Sequence, residues 1–206
     1  MTFPDQTYPN IGAFADAYGE QLARAWASVD RATLAAATEM LAQAYGRRAT
    51  VFSCGNGGSA AISNHLVCDH LKGVRTDTVV RPRVVSLSAN IETITAVAND
   101  ISYDDVFSYQ LSGLAEAGDV LITISSSGDS ENVVRALEWA GANGVGTIAM
   151  TGFEGGRSAA MADVNLHADG DNYGVVEDVH QGLMHVLAQY LRLDHMAAGL
   201  VPERKF

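Results

Sequence analysis

The spacing of apolar residues divides the chain into two parts. Over residues of about 11–28, Ile11, Phe14, Tyr18, Leu22 and Trp26 recur at steps of three or four, the period of a helix with one apolar face. Asp30 is placed to cap a second helix that runs to about Tyr45 and carries Leu34, Met40 and Leu41. Both segments are rich in alanine, a strong helix former. Two such helices must bury their apolar faces, and a partner subunit is a natural candidate. The first ten residues, polar and proline-containing, read as loose.

From Arg48 onward the pattern is different. Short β-type runs appear at residues 49–54, 83–87, 119–124, 146–150 and 163–167, with helical patterns between the first four and after the last. Near-continuous apolar strands separated by helices predict a parallel sheet covered on both faces. Right-handed crossovers then give an α/β fold with an open, doubly wound five-stranded sheet whose ligands bind at the carboxyl ends of the strands. No internal repeat, low-complexity segment or interdomain linker interrupts the 206 residues, so a single domain is expected.

Composition narrows the possible partners. Apolar residues make up 48% and charged residues 18%, enough for a sizeable core and too few charges for a disordered chain. The net charge of −11 disfavours nucleic acid and anionic membrane as partners, though a small anion needs only local donors. No run approaches the roughly 18–20 apolar residues of a membrane span. The start lacks the basic and apolar regions of a secretory signal. Two cysteines, Cys54 and Cys68, fit a reducing cytoplasm.

Two strand-to-helix loops carry candidate chemistry. The first strand runs into Cys54-Gly55-Asn56-Gly57-Gly58-Ser59, and the third into Ser125-Ser126-Ser127-Gly128-Asp129-Ser130. Glycines and an asparagine let backbone N–H groups converge at a helix N-terminus, where the dipole favours an anion. The serine hydroxyls donate to phosphate oxygens without needing a cationic side chain. Each loop alone reads equally as a tight or solvated turn; two on one sheet point to a phosphorylated ligand. Further along, His65 and Asp69 are four apart on one helical face, and Glu177, Gln181 and His185 follow steps of four on the last helix. Val176, Val179, Leu183, Val186 and Tyr190 form that helix's apolar stripe, so the Glu177–His185 side faces either solvent or a site.

The glycine and serine loops, with Ala98-Asn99-Asp100, Ala117-Gly118-Asp119-Val120-Leu121 and Thr151-Gly152-Phe153-Glu154-Gly155-Gly156, resemble the sugar isomerase (SIS) domain family and, within it, the phosphoheptose isomerase group. The resemblance spans nearly the whole chain. It implies a three-layer α/β/α fold and an aldose–ketose isomerase acting on a phosphorylated sugar, most closely sedoheptulose 7-phosphate to D-glycero-D-manno-heptose 7-phosphate. It implies a cytoplasmic homotetramer built partly by the helical segment of about 11–46, with active sites at the interfaces. By position, Asn56, Gly57, Gly58, Ser59, Ser125, Ser126, Ser127 and Ser130 would hold the sugar and its phosphate, and Asp69 and His185 would be the acid/base pair. His65, Asp69, Glu177 and His185 would form a divalent-metal site, zinc in some members of the family.

The chain departs from the family pattern at three places. Asp69 stands for a Glu, with His70 as the alternative counterpart if the helix slips by one. Glu177 stands for a Gln, and Gly174-Val175 for an Asp-Arg. His180 also has a histidine counterpart, ranked below His185. Lys72, Arg75, Arg81 and Arg83 form a basic cluster that either is solvated or reaches a substrate across an interface. A competing implication is a non-catalytic SIS protein that binds the replication initiator or senses a phosphosugar; that branch lacks the acid/base pair.

Overall fold

The computed structural model describes residues 2–206. Two helices lead, α1 (Ile11–Ser28) and α2 (Arg31–Gly46). Each begins where a side chain satisfies orphan N–H groups: Asn10 Oδ1 accepts from Ala13 N at 2.9 Å, and Asp30 Oδ1 accepts from Ala32 N at 2.6 Å. The body then alternates β1 (Thr50–Gly55), α3 (Gly57–Cys68), β2 (Arg83–Ser86), α4 (Ile91–Asp100), α5 (Val106–Leu114), β3 (Val120–Ser125), α6 (Glu131–Ala142), β4 (Gly146–Thr151), α7 (Gly156–Met161), β5 (Val164–His167) and α8 (Tyr173–His195).

The five strands form one parallel sheet in the order β2-β1-β3-β4-β5. Both central strands, β1 and β3, are buried along their whole length, which is why they read as continuous rather than alternating apolar runs. Successive residues face opposite layers. Val51, Val120 and Ile122 join a core with Leu41, Leu66, Leu183 and Leu187 from α2, α3 and α8. Phe52, Cys54 and Leu121 join the other, with Val97, Phe107 and Leu137 from α4, α5 and α6. The chain leaves β1 toward β2 and returns to β3 on β1's other side. The loops after β1 and β3 therefore diverge and leave a crevice between them, the position where open α/β sheets bind ligands.

Four details differ from the sequence reading. Strand ends shift by about one residue. A short helix, α7, lies between β4 and β5 where none was expected; its six residues are too few to show a period. The residues before α1 are not loose around Phe3, which is 4% exposed, stacks on Phe14 and receives Asn172 Nδ2 on its carbonyl at 3.2 Å. On α8 the buried stripe is Val175, Val176, Val179, Leu183, Leu187 and Leu191, whereas Val186 and Tyr190 are exposed.

Candidate active site

The glycine loop closes where β1 meets α3. Gly57 has φ +53, a conformation that glycine adopts freely. Gly58 has no room for a Cβ, because the Glu177 carboxylate lies against it. Both α3 and α6 begin without a side-chain cap: Asn56 and Ser130 hold the N-cap positions and make no cap bond. The first N–H groups of each helix are left free by helix geometry itself. The serine loop is shaped internally, Ser125 Oγ accepting from Gly128 N at 3.2 Å and Ser127 Oγ from Asp129 N at 3.3 Å. It is also held from outside by Arg157, whose Nε donates to Asp129 Oδ1 at 2.8 Å and Nη1 to Glu131 Oε2 at 3.0 Å.

Asn56, Ser59, Ser125, Ser126, Ser127 and Ser130 meet around one cavity of about 140 Å³, joined by Tyr173 and Glu177 from the start of α8. Ser126 Oγ is buried there without a hydrogen-bond partner among the described residues. A buried hydroxyl left unpaired costs on the order of 1–3 kcal/mol, and a ligand acceptor would relieve that cost. The cavity thus combines serine hydroxyls, one of them unpaired, with the Glu177 carboxylate at its other wall.

A second cluster lies between α3 and α8. His185 Nδ1 lies 2.8 Å from Asp69 Oδ2, and His65 Nε2 lies 3.3 Å from Asp69 Oδ1. Gln181 Nε2 approaches His65 Nδ1 at 3.1 Å and His185 Nε2 at 3.0 Å. One proton arrangement satisfies all four contacts. The amide donates both its N–H groups, one to each ring, and each ring donates its other N–H to the carboxylate. Both imidazoles are then neutral, with lone pairs at His65 Nδ1 and His185 Nε2.

Asp69 follows His65 by one α-helical turn, its N–H still on the His65 carbonyl, so the two side chains share one face of the helix. From Asp69 to Val74 the helix continues as a π turn. His70 is fully buried and hydrogen-bonded to the Tyr45 hydroxyl, so Asp69 and not His70 meets His185. Burial lowers the pKa of His70 to about 4, the charge of Asp69 opposing. His180 is likewise buried, with Nε2 on the Thr151 carbonyl at 3.1 Å, and burial lowers its pKa to about 4.

Of the four expected metal ligands, His65, Asp69 and His185 come together, their ligand atoms within 4.8 Å of one another. Two neutral imidazoles and a carboxylate are an ordinary divalent donor set. Glu177 is not in that group. It lies two turns earlier on α8, against Gly58 in the serine cavity, where burial, then the neighbouring Asp178, raises its pKa. Gln181 stands nearer the cluster; its place in the same step-of-four row was the only signal for it in the sequence. Of the basic cluster, Arg83 opens β2 at the amino edge of the sheet, away from the loops, and donates to the Arg48 carbonyl at 3.3 Å.

Residues 14–152 match the SIS domain family. Phosphoheptose isomerase from Colwellia psychrerythraea is 39% identical over 144 residues, covering 68% of this chain and 73% of the relative. The one from Coxiella burnetii is 34% identical over 158 residues, 75% of this chain and 79% of the relative. Among solved structures, the phosphoheptose isomerase GmhA from Neisseria gonorrhoeae superposes with a TM-score of 0.81 at 30% identity, covering 88% of this chain and 98% of the other. The family match ends before α8, so the placement of Gln181 and His185 rests on the geometry above.

Proposed function

This chain belongs to the SIS domain family, in its phosphoheptose isomerase group, and from that premise we propose that it interconverts sedoheptulose 7-phosphate and D-glycero-D-manno-heptose 7-phosphate. The observation that carries the reading is the adjacency of two unlike sites. One is a cavity lined by serine hydroxyls, Ser126 Oγ unpaired, between two uncapped helix N-termini and suited to a phosphate; the other is a hydrogen-bonded carboxylate–imidazole pair suited to proton transfer. A non-catalytic binding role needs the first and has no use for the second.

In the forward direction the reaction removes a proton from C1 and adds one at C2, while O1 loses a proton and O2 gains one. An enediol(ate) links the two states. Asp69 holds His185 in the tautomer with its lone pair on Nε2, which takes the C1 proton once the substrate displaces the Gln181 amide from it. The imidazolium so formed faces the Asp69 carboxylate at 2.8 Å and returns a proton to C2. Asp69 shares the transfers involving the oxygens. Positioned acid/base groups of this kind each contribute about 10²–10⁴ in rate. The serine and glycine loops hold the phosphate and fix the sugar's register against His185.

His65, Asp69 and His185 would hold a divalent ion, zinc by family, and a bound ion would supply a Lewis acid for the substrate's oxygens. Glu177 would join that set only through a change in its side-chain position; as placed, it lines the serine cavity against Gly58. We further propose a homotetramer assembled through the leading helices, with sites completed at the interfaces. The support is an apolar groove of about 480 Å³ between α2 and α8, lined by Leu34, Ala35, Val186 and Tyr190 among others. A phosphosugar substrate and two unpaired cysteines fit the cytoplasm. No helix among the described residues is long and apolar enough to cross a membrane.

The test is an assay of the purified protein against a panel of ketose phosphates, with and without chelator. Turnover of sedoheptulose 7-phosphate above the shorter ketose phosphates is expected. No turnover of any member under either condition would leave the binding-protein reading standing.

A further inference from the structure

The side chain of Asn56 holds the N-cap position of α3 but is turned away from it, toward α6. Its Nδ2 donates to Asn132 Oδ1 at 2.8 Å, and Asn132 Nδ2 donates back to Asn56 Oδ1 at 3.0 Å. The two amides thus form a reciprocal pair between the glycine loop and the first turn of the helix that follows the serine loop. A third group closes the set. Tyr103, in the short 3-10 turn Tyr103–Asp105, donates its hydroxyl to the same Asn56 Oδ1 at 2.9 Å. Asn132 is 2% exposed and Tyr103 53% exposed, so the pair is braced from inside and latched from the surface.

This arrangement has a chemical consequence. Both lone pairs of Asn56 Oδ1 are taken, and one of its two N–H groups is taken by Asn132. The remaining capacity of Asn56 is a single N–H. Asn56 is among the residues lining the cavity where Ser126 Oγ lacks a partner. The pairing therefore fixes Asn56 as a donor and ties the two loops at a set separation before any ligand arrives.

We propose that Asn132 and Tyr103 are positioning residues that clamp Asn56 and join the glycine and serine loops into one preformed cradle for the phosphorylated end of the substrate. This rests on the phosphosugar reading above. A preformed cradle acts on ground state and transition state alike, so its loss raises KM and leaves kcat nearly unchanged. A bond that only supports the fold would instead lower thermal stability and leave KM alone.

The experiment compares full-length wild type with Asn132→Ala, Asn132→Asp and Tyr103→Phe, measuring KM, kcat and Tm with sedoheptulose 7-phosphate. Asn132→Ala is expected to raise KM about tenfold, the size of one hydrogen bond to a charged group, with kcat within about threefold. Asn132→Asp should raise it further, because its carboxylate faces Asn56 Oδ1 and adds negative charge beside the cradle. Tyr103→Phe keeps the ring at an exposed position that cannot endanger folding, and should raise KM about two- to threefold. Should Asn132→Ala fail to fold, Tyr103→Phe and the isosteric Asn132→Asp carry the test. Unchanged KM in the folded variants, or kcat falling in step with KM rising, overturns the clamp while leaving the isomerase reading intact. A wild type that neither binds nor converts any ketose phosphate overturns both.

Discussion

At the carboxyl ends of β1 and β3, hydrogen-bonding capacity is left open; between α3 and α8 it is closed. The serine cavity has a buried hydroxyl with no partner, two helix N-termini without side-chain caps and an asparagine reduced to one free donor. In the acid/base cluster every polar atom of His65, Asp69, Gln181 and His185 that faces the others has a partner. The role proposed for the first region is to receive an anion, which would give its open donors a partner. The second is built to hold particular tautomers, and a substrate must displace the Gln181 amide to reach the lone pairs. In the proposed function, binding and chemistry are divided between neighbouring regions, one carried largely by loops and helix ends, the other by side chains 116 positions apart at the His185–Asp69 bond.

That separation predicts different kinetic signatures. The largest effect belongs to the cluster: His185→Asn should lower kcat by about 10² or more with KM changed little. Its partly exposed position opposite the buried stripe of α8 leaves the fold intact. Asp69→Asn should act alike, and steady-state kinetics on both variants checks the pair. Full turnover in His185→Asn would mean that the proton moves elsewhere. The middle effect belongs to the cavity: Ser126→Ala should weaken phosphosugar binding by about 1.5–3 kcal/mol if its hydroxyl meets the phosphate, measured by calorimetry, with kcat nearly preserved. If Ser126→Ala instead lowered kcat as His185→Asn does, the two regions would be one.

A third effect, on stability and not on activity, lies beneath both regions. Burial lowers the pKa of His180 to about 4, against about 6.5 in the unfolded chain. As pH falls below about 6.5 the unfolded state takes up a proton that the folded state refuses until about 4. The stability present above pH 6.5 is therefore lost across that window, at up to about 1.4 kcal/mol per pH unit for each such proton. His180→Gln keeps a donor for the Thr151 carbonyl and should flatten that slope in denaturant melts between pH 7 and 4. A slope unchanged by His180→Gln would assign it to other groups, His70 first.

The same contrast explains what could be read in the sequence. The cavity loops are contiguous strings, Gly55-Asn56-Gly57-Gly58-Ser59 and Ser125–Ser130, so their residues and their place at strand ends follow from local pattern. The sheet was legible for the same reason, since each buried strand is a continuous run. The cluster depends on how far along α8 each residue sits. Periodicity put Glu177, Gln181 and His185 on one face, but they span about 12 Å of helix, and only packing decides which meets His65 and Asp69. The row was read from its ends, so Glu177 was favoured where Gln181 makes the contacts. Asp69 was legible as the residue one helical turn after His65, whereas the inward course of His70 to Tyr45 is a matter of packing. The clamp of Asn56, Asn132 and Tyr103 joins three separate elements, and no spacing announces it. Val186 and Tyr190 kept the apolar period yet face outward, where they line the groove along α2.

The central claim is that His185 and Asp69 move a proton between C1 and C2 of a bound ketose phosphate, and solvent isotope incorporation tests it most directly. The protein is incubated with sedoheptulose 7-phosphate in D₂O, and the aldose product is examined by proton NMR and mass spectrometry, alongside His185→Asn. The wild type should give an aldose phosphate carrying deuterium at C2, and His185→Asn at least about 10²-fold less product in the same time. No aldose from the wild type, or aldose formed as fast by His185→Asn, would contradict it.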